Sequence, residues 1–342
     1  MNKKIFLGYN QKVIIELKGI IVEKNYYLSA DGKTKIAYFV FEDKVVPPKA
    51  VLQVAHGMKE TLLRYIEFAE FFTKNGYVVV GNDALGHGET STSKDTDGFF
   101  AKKHGDKFVV RDLKKMTDIA KERYPNLPVY LFGHSMGSFF ARYYAGLYPN
   151  AVDGIILSGT SAHVSGTRFG LFMMGLLKKI KGPKTHLAFI DKIMTGKYFK
   201  YIDNPESEFE WVTSDVEFLK RAKWDDKAQM PFSVSAYYDM VKTLLTVNKN
   251  SWYKKYSKDT PVLLISGAQD PVGQYGNGVC KVYSQLEKQK IKCVDLILYG
   301  EGRHALFYEI EKIKERFLED TLIWLNDKVK LKNEQKEKEL ND

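Results

Sequence analysis

Sulfur available for cross-linking is scarce: the 342 residues include two cysteines, Cys280 and Cys293. Neither keeps a metal-ligand spacing to histidine, which excludes a disulfide scaffold and a zinc module and leaves two reduced structural thiols in the cytosol as the expectation. No apolar stretch approaches the length of a membrane span. Met1-Asn2-Lys3-Lys4 begins like a secretion signal, but residues 5–12 turn polar too soon and no small-residue cleavage site follows, so a cytoplasmic chain is expected. Dense basic blocks are missing too. The excess of 52 Lys+Arg over 42 Asp+Glu, +10, is spread along the chain, and no nucleic-acid motif accompanies it. That argues against a nucleic-acid partner; a basic surface suits anionic lipid headgroups, but a generally lysine-rich composition is the preferred reading. What the chain has is 44% hydrophobic and 13% aromatic residues, enough for the core of one large α/β domain with an insertion.

Residues 11–22 and 23–41 alternate as strands do, with Asp31-Gly32 as a hairpin turn. Short buried-strand runs then alternate with helical patterns. The strands are 51–55, 77–80, 128–132, 154–157, 262–266 and 294–298, and charged residues 107–123 form one of the helices. Cys280 falls in a helix and Cys293 in a strand. Such alternation predicts a mostly parallel sheet covered by helices on both faces. Between Ser161 and Gln229 there are no strand-like runs, only helix-like pieces. The chain thus divides into a core of 1–160 and 230–326, a helical cap of 161–229 laid over the sheet, and a charged tail of 327–342. The last core helix is expected to turn Ile310, Ile313, Phe317, Leu318, Leu322 and Leu325 inward.

Gly133-His134-Ser135-Met136-Gly137 lies between the apolar run 128–132 and a helical pattern over 138–145. The G-x-S-x-G spacing is that of a nucleophile elbow: serine on a turn sharp enough to thrust its hydroxyl clear of the sheet, with small residues where strand and helix nearly touch. An activated serine needs a base and an orienting acid, in the chain order Ser, Asp/Glu, His for this kind of fold. Asp270 follows the strand 262–266 and His304 follows the strand 294–298, both where ligand sites form in parallel sheets. Glu301 is the rival acid but lies too close to His304 in sequence. Two backbone donors for the tetrahedral oxyanion are expected from Met136, after the nucleophile, and Met58, after the strand 51–55. His56, Asp83 and His87 read as scaffold.

Taken together, His56-Gly57, Asp83-Ala84-Leu85-Gly86-His87-Gly88, Gly133–Ser138, Gly267-Ala268-Gln269-Asp270-Pro271-Val272 and Arg303-His304 resemble the monoglyceride lipase and lysophospholipase branch of the α/β-hydrolases, also catalogued with serine aminopeptidases. The resemblance spans about residues 25 to 325, in the family's motif order. It implies an eight-stranded sheet, a helical cap between strands six and seven, and a cofactor-free triad. It places the nucleophile on Ser135, the acid on Asp270, the base on His304, and the oxyanion donors on Met58 and Met136. It implies no metal. The sequence departs at Met58-Lys59-Glu60, where lipase members often carry a small residue, then Glu-His. The first 24 residues fall outside the resemblance.

In the cap, residues 169–177 carry no charge and are followed by Lys178-Lys179-Ile180-Lys181. This suits an acyl-chain lid that touches a bilayer peripherally, or a cap helix packed on the sheet. Met173, Met174 and Met194 suit either a variable alkyl chain or packing, and Trp211 and Trp224 are placed to close over the site. The first reading is therefore a serine hydrolase acting on a small-molecule acyl ester, monoacylglycerol or lysophospholipid. A second is an aminopeptidase or small-ester hydrolase holding an amine with Glu206, Glu208 or Glu210. A third is a non-catalytic ligand-binding protein with a hydrolase-like fold. Sequence leaves the oligomeric state open.

Overall fold

The computed structural model describes residues 4–6, 13–17, 19–196, 198–200, 202, 205, 207–222 and 230–341. Among them ten strands form one sheet: β1 (Lys4–Phe6), β2 (Val13–Leu17), β3 (Ile20–Leu28), β4 (Lys35–Asp43), β5 (Ala50–Ala55), β6 (Tyr77–Asn82), β7 (Val129–His134), β8 (Gly154–Ser158), β9 (Val262–Gly267) and β10 (Val294–Tyr299). Their spatial order is β1-β2-β3-β4-β6-β5-β7-β8-β9-β10. The strands β1 to β4 form an antiparallel meander and β4 joins β6 antiparallel. From β6 to β10 all neighbours are parallel.

The strands β3 to β10 make up the expected mostly parallel eight-stranded sheet, and β1 and β2 extend it at the antiparallel edge. The stretch 11–22, expected as one strand, is divided at Gly19. A φ of 86° there turns the chain so that Leu17 pairs with Ile20. The Asp31-Gly32 turn forms as expected: Asp31 Oδ1 accepts the backbone N–H of Lys33 and Thr34, both at 2.8 Å.

Central strands are mostly apolar because both faces are covered. Successive residues go to opposite sides, Val51, Val80 and Leu131 to one core and Leu52, Val79 and Phe132 to the other. The helices are α1 (Ile66–Lys74), α2 (Gly105–Arg123), α3 (Met136–Leu147), α4 (Thr167–Lys181), α5 (Ala188–Thr195), α6 (Val216–Ala222), α7 (Val234–Val247), α8 (Asn250–Tyr253), α9 (Asn277–Lys288) and α10 (Glu311–Asn341). The first core takes residues from α2, α3, α7 and α9, and the second takes Phe68 and Phe72 of α1 with Ile313, Phe317 and Leu325 of α10. Ile310 departs from expectation. It precedes α10 and is 41% exposed, because the helical periodicity begins only at Glu311. Residues 327–341 continue α10, and Lys332 Nζ reaches Asp153 Oδ1 at 3.1 Å. Cys280 lies on α9; Cys293 stands just before β10 and its thiol donates to Asp295.

The helices α4 to α8 all fall between β8 and β9. Both stems of this segment are braced by Arg142 of α3, a fully buried guanidinium. It donates to the carbonyl of Ser161 at 2.7 Å, to the carbonyl of Val247 at 3.1 Å, and to Asn248 Oδ1 at 2.9 Å. A buried charge needs such a shell of acceptors to offset its lost hydration.

Asp106 of α2 and Asp239 of α7 are each 1% exposed. Lys242 Nζ lies 2.8 Å from Asp106 Oδ2. Burial, and then the Asp106 charge, push the Asp239 carboxyl up to about 7, against the pull of Lys178 and Lys242. Between about pH 4 and pH 7 the unfolded chain has released this proton and the folded chain has not, so this group's contribution to stability falls as pH rises. Asp239→Asn removes that loss. Its melting temperature, followed by circular dichroism, should match the parent near pH 4 and exceed it increasingly up to about pH 7, by at most roughly 4 kcal/mol of stability.

Candidate active site

The centre of the site follows from a crowded crossing. The strand β7 lies between β5 and β8, ends at His134, and α3 starts at Met136. One residue, Ser135, makes the reversal at φ 52° and ψ −120°, a conformation that costs a non-glycine residue roughly 1–3 kcal/mol. The Ser135 N–H donates to the Ser158 carbonyl at 2.9 Å, and the Ser138 hydroxyl donates to the Ser135 carbonyl at 2.6 Å. A Cβ on Gly137 would stand 2.0 Å from the Ala55 carbonyl oxygen, and one on Gly133 would stand 2.7 Å from the Gly137 carbonyl oxygen. Gly137 is demanded by backbone alone, and Gly133 by backbone together with the Ala141 Cβ at 2.9 Å.

Asp270 follows β9 and is fully buried. Its Oδ1 accepts the Val272 N–H at 2.8 Å, and Ser266 Oγ donates to Oδ2 at 3.3 Å. His304 lies in the loop after β10, 2% exposed, with Nδ1 2.9 Å from Asp270 Oδ1. The ring N–H is not aligned on that oxygen, so the contact has hydrogen-bond length without full directionality. Such contacts tighten when substrate binds. His304 Nε2 is buried and has no hydrogen-bond partner among the described residues. The ring packs against Gly159, next to the Ser158 that holds Ser135: a Cβ on Gly159 would stand 3.0 Å from His304 Cε1. The His134 ring is 4.8 Å from that of His304. Burial, then the adjacent His304, hold His134 well below the usual imidazole range, so it stays neutral. Glu301 forms no part of this arrangement: it is an exposed residue of the loop.

The loop after β5 is pinned from several sides. Glu60 Oε2 accepts the Gly57 N–H at 2.7 Å and the Tyr65 hydroxyl at 2.6 Å. His87 Nε2 accepts the Lys59 N–H at 3.2 Å. Between these two, the Met58 N–H has no partner among the described residues. The Met136 N–H, at the first position of α3, likewise lies where a helix leaves its donors unpaired. His56 accepts the Ala84 N–H on Nε2 at 3.0 Å and its Nδ1 faces the Gly57 carbonyl at 2.7 Å, which fixes it as a structural, neutral ring whose proton affinity burial lowers. Asp83 accepts the N–H groups of Leu62 at 2.7 Å and Glu89 at 2.8 Å. These residues are scaffold, as expected.

Ser135 and His304 both line a cavity of about 710 Å³. Gly57, Met58, Lys59 and Glu60 contribute one wall, and Asp191, Phe199, Glu208, Phe209, Trp211 and Phe218, all from the segment between β8 and β9, contribute another. The Trp211 ring stacks 5.1 Å from that of His304. Trp224 and Glu206 lie outside the described residues. Met173, Met174 and Met194 are not among the residues lining the cavity; its apolar lining is aromatic with Met58, Leu63, Ile66 and Val212.

The sequence profile of the family described as serine aminopeptidase, S33, matches residues 46–311. The chain belongs to this S33 family. It is 25% identical over 295 residues to a monoglyceride lipase homolog of Monkeypox virus, covering 86% of this chain and 95% of that one. It is 29% identical over 304 residues to a monoacylglycerol lipase of Mycolicibacterium smegmatis, covering 86% and 94%. Among solved structures, a highly thermostable carboxyl esterase from Bacillus coagulans in complex with glycerol superposes with a TM-score of 0.81 at 28% identity, covering 90% of this chain and 99% of the other. The fold is that of the α/β-hydrolases.

Two anchors of this S33 member escape motif reading. Glu60 clamps the loop bearing Met58, and its signal is an acid three residues past Gly57 that turns out buried. Glu309 accepts the Arg303 N–H at 2.8 Å, while the Arg303 guanidinium donates to the carbonyls of Glu210 at 2.6 Å and Thr213 at 3.1 Å. His304 is thereby held from its own loop and from the segment above it.

Gly137→Ala tests the crossing. The clash is with the Ala55 backbone and cannot be relieved by a rotamer change, so the variant should lose at least about 3 kcal/mol, read as a lowered urea midpoint.

Proposed function

We propose that the chain hydrolyses carboxylic esters of monoacyl lipids, with monoacylglycerol or lysophospholipid as the substrate class. As an enzyme it is a serine ester hydrolase. The observation that carries the finer reading is the 2.9 Å approach of Asp270 to His304 beside a strained Ser135 on one cavity. In this reading His304 takes the Ser135 proton as Oγ attacks the ester carbonyl. Asp270 holds the imidazole tautomer and stabilises its cationic form. The N–H groups of Met58 and Met136 bind the oxyanion. His304 returns the proton to the departing alcohol, leaving an acyl-Ser135 ester. Water, deprotonated by His304, then releases the fatty acid. Neutral His134 places no competing cation beside the developing imidazolium.

Residues 161–229 serve as the cap in this reading. The aromatic wall of Phe199, Phe209, Trp211 and Phe218 supports an alkyl chain as the acyl group. The outer face of the same segment supports a membrane source for the lipid. Phe169 is 69% and Phe172 67% exposed on α4, and Ile193 of α5 is 69% exposed, next to Lys178, Lys179 and Lys181. Of the uncharged run 169–177 only Met174 is buried. No described helix is long and apolar enough to cross a membrane, so the contact would be peripheral, apolar side chains in the interface and lysines on anionic headgroups. An aminopeptidase reading is favoured by one feature, the carboxylate of Glu208 in the cavity wall.

Ser135→Ala should abolish fluorophosphonate labelling and lower p-nitrophenyl ester turnover by at least about three orders of magnitude. Turnover of the parent should rise with acyl length; aminoacyl-arylamide turnover above that of esters would favour the peptidase instead. The double variant Phe169→Glu/Phe172→Glu should lose cosedimentation with vesicles containing anionic phospholipid, while hydrolysis of a short soluble ester stays at the parent's level.

A further inference from the structure

Lys59 is an unusual occupant of its position. Its φ of 61° lies in the left-handed region, which favours glycine and penalises a side chain. Every polar part of the residue is nonetheless engaged. Its N–H donates to His87 Nε2 at 3.2 Å, and its carbonyl accepts the Arg64 guanidinium at 3.1 Å. Its ammonium crosses the cavity to Asp191 Oδ1 of α5 at 3.4 Å. That same oxygen accepts the Tyr237 hydroxyl of α7. Lys59, Asp191 and Tyr237 all line the cavity.

We infer that Lys59 is a positioning residue that couples the placement of α5 to the orientation of the Met58 N–H. The peptide carrying that donor joins Gly57, clamped by Glu60, to Met58, and Lys59 lies one peptide further on. A pull on the Lys59 side chain therefore reaches it through the Met58 Cα. With α5 in place, Asp191 draws the ammonium across the cavity and helps hold the strained backbone that aims Met58 inward. With α5 displaced, the ion pair is lost and the left-handed residue is held by its backbone bonds to His87 and Arg64 alone. The oxyanion site would thus be completed only beneath a seated α5. Asp191 rather than a substrate group receives the ammonium, because it already accepts the Tyr237 hydroxyl and so is held toward the cavity. This inference rests on the hydrolase reading above.

The test is a double-mutant cycle on purified full-length protein with p-nitrophenyl butyrate, a soluble ester needing no membrane. Both side chains of the pair are partly exposed, so the coupling is modest. Lys59→Met and Asp191→Asn should each lower kcat about two- to fivefold with KM little changed, and the double variant should fall no further than either. Lys59→Arg should recover most of the loss. Melting temperatures separate this from unfolding, since removal of one partly exposed ion pair leaves the fold intact. Losses that multiply in the double variant, a change confined to KM, or an unchanged kcat in Lys59→Met would each overturn the coupling. The hydrolase reading has its own control: Ser135→Ala inactive with an additive cycle sinks the coupling alone, whereas Ser135→Ala still active sinks the reading beneath it.

Discussion

Everything at this site depends on three backbones meeting within van der Waals contact. The end of β7, the first turn of α3 and the end of β5 close so tightly that Gly137 has no room for a methyl group against the Ala55 carbonyl. That crowding forces the single residue between strand and helix into a conformation serine does not choose by itself. The strain is sustained by a buried sheet on both sides and by hydrogen bonds from Ser135 and Ser138 across the turn. It leaves a hydroxyl-bearing side chain at the carboxyl edge of the sheet, where the first turn of a helix also presents unpaired N–H groups. The places of the Ser135 hydroxyl and of the Met136 N–H are two consequences of one packing constraint.

The loops around that edge are ordered by buried carboxylates that accept backbone N–H groups. Asp83 secures the segments at Leu62 and Glu89, Glu60 secures Gly57, Asp270 secures Val272, and Glu309 secures Arg303. An acid used this way does what a turn of secondary structure would do elsewhere: it satisfies donors that irregular backbone leaves behind. The difference is that the loop stays irregular, free to present Met58 and His304 to the cavity. The division of labour among histidines follows from burial. His56 and His134 are desolvated and neutral, and His56 and His87 spend their ring nitrogens on backbone groups. His304 has the closest carboxylate of these, Asp270 Oδ1 at 2.9 Å from Nδ1 against 3.9 Å from His134 Nε2 to Glu60 Oε1, and its Nε2 has no hydrogen-bond partner among the described residues.

The parts that sequence reveals are those governed by sterics and chain order. Gly133 and Gly137 are legible because no other residue fits, and Asp270 and His304 because each follows a strand of a parallel sheet. Alternating buried runs likewise announce β5 to β10. Where long-range contacts decide, sequence is mute. The N-terminal strand pair is blurred because one Gly19 turn, not a change in composition, separates β2 from β3. Ile310 carries the right spacing for an inward position but precedes the helix that would turn it inward. The methionines of 173–194 have the flexibility an alkyl pocket wants, yet tertiary packing assigns that lining to aromatics with Met58, Leu63, Ile66 and Val212. Glu60 and Glu309 look like ordinary surface acids until folding brings their partners to them.

The segment between β8 and β9 is tied to the core by links of unequal strength, and that inequality decides where it can move. Its stems are fixed by Arg142, a buried guanidinium whose acceptors sit on both sides of the segment, and loss of any of them would strand a charge away from water. Its base is fixed by Arg303 at the root of the His304 loop. Across the cavity the partly exposed Lys59 reaches Asp191 at 3.4 Å. Ion pairs of that kind are worth at most about 1 kcal/mol, so thermal motion opens them readily. The helix α5 is held to the core by buried Ile190 and, more lightly, by this ion pair. Its outer face carries the exposed Phe189 and Ile193. A light tie and exposed apolar side chains coincide on α5, so an apolar interface that binds this helix acts on the latch.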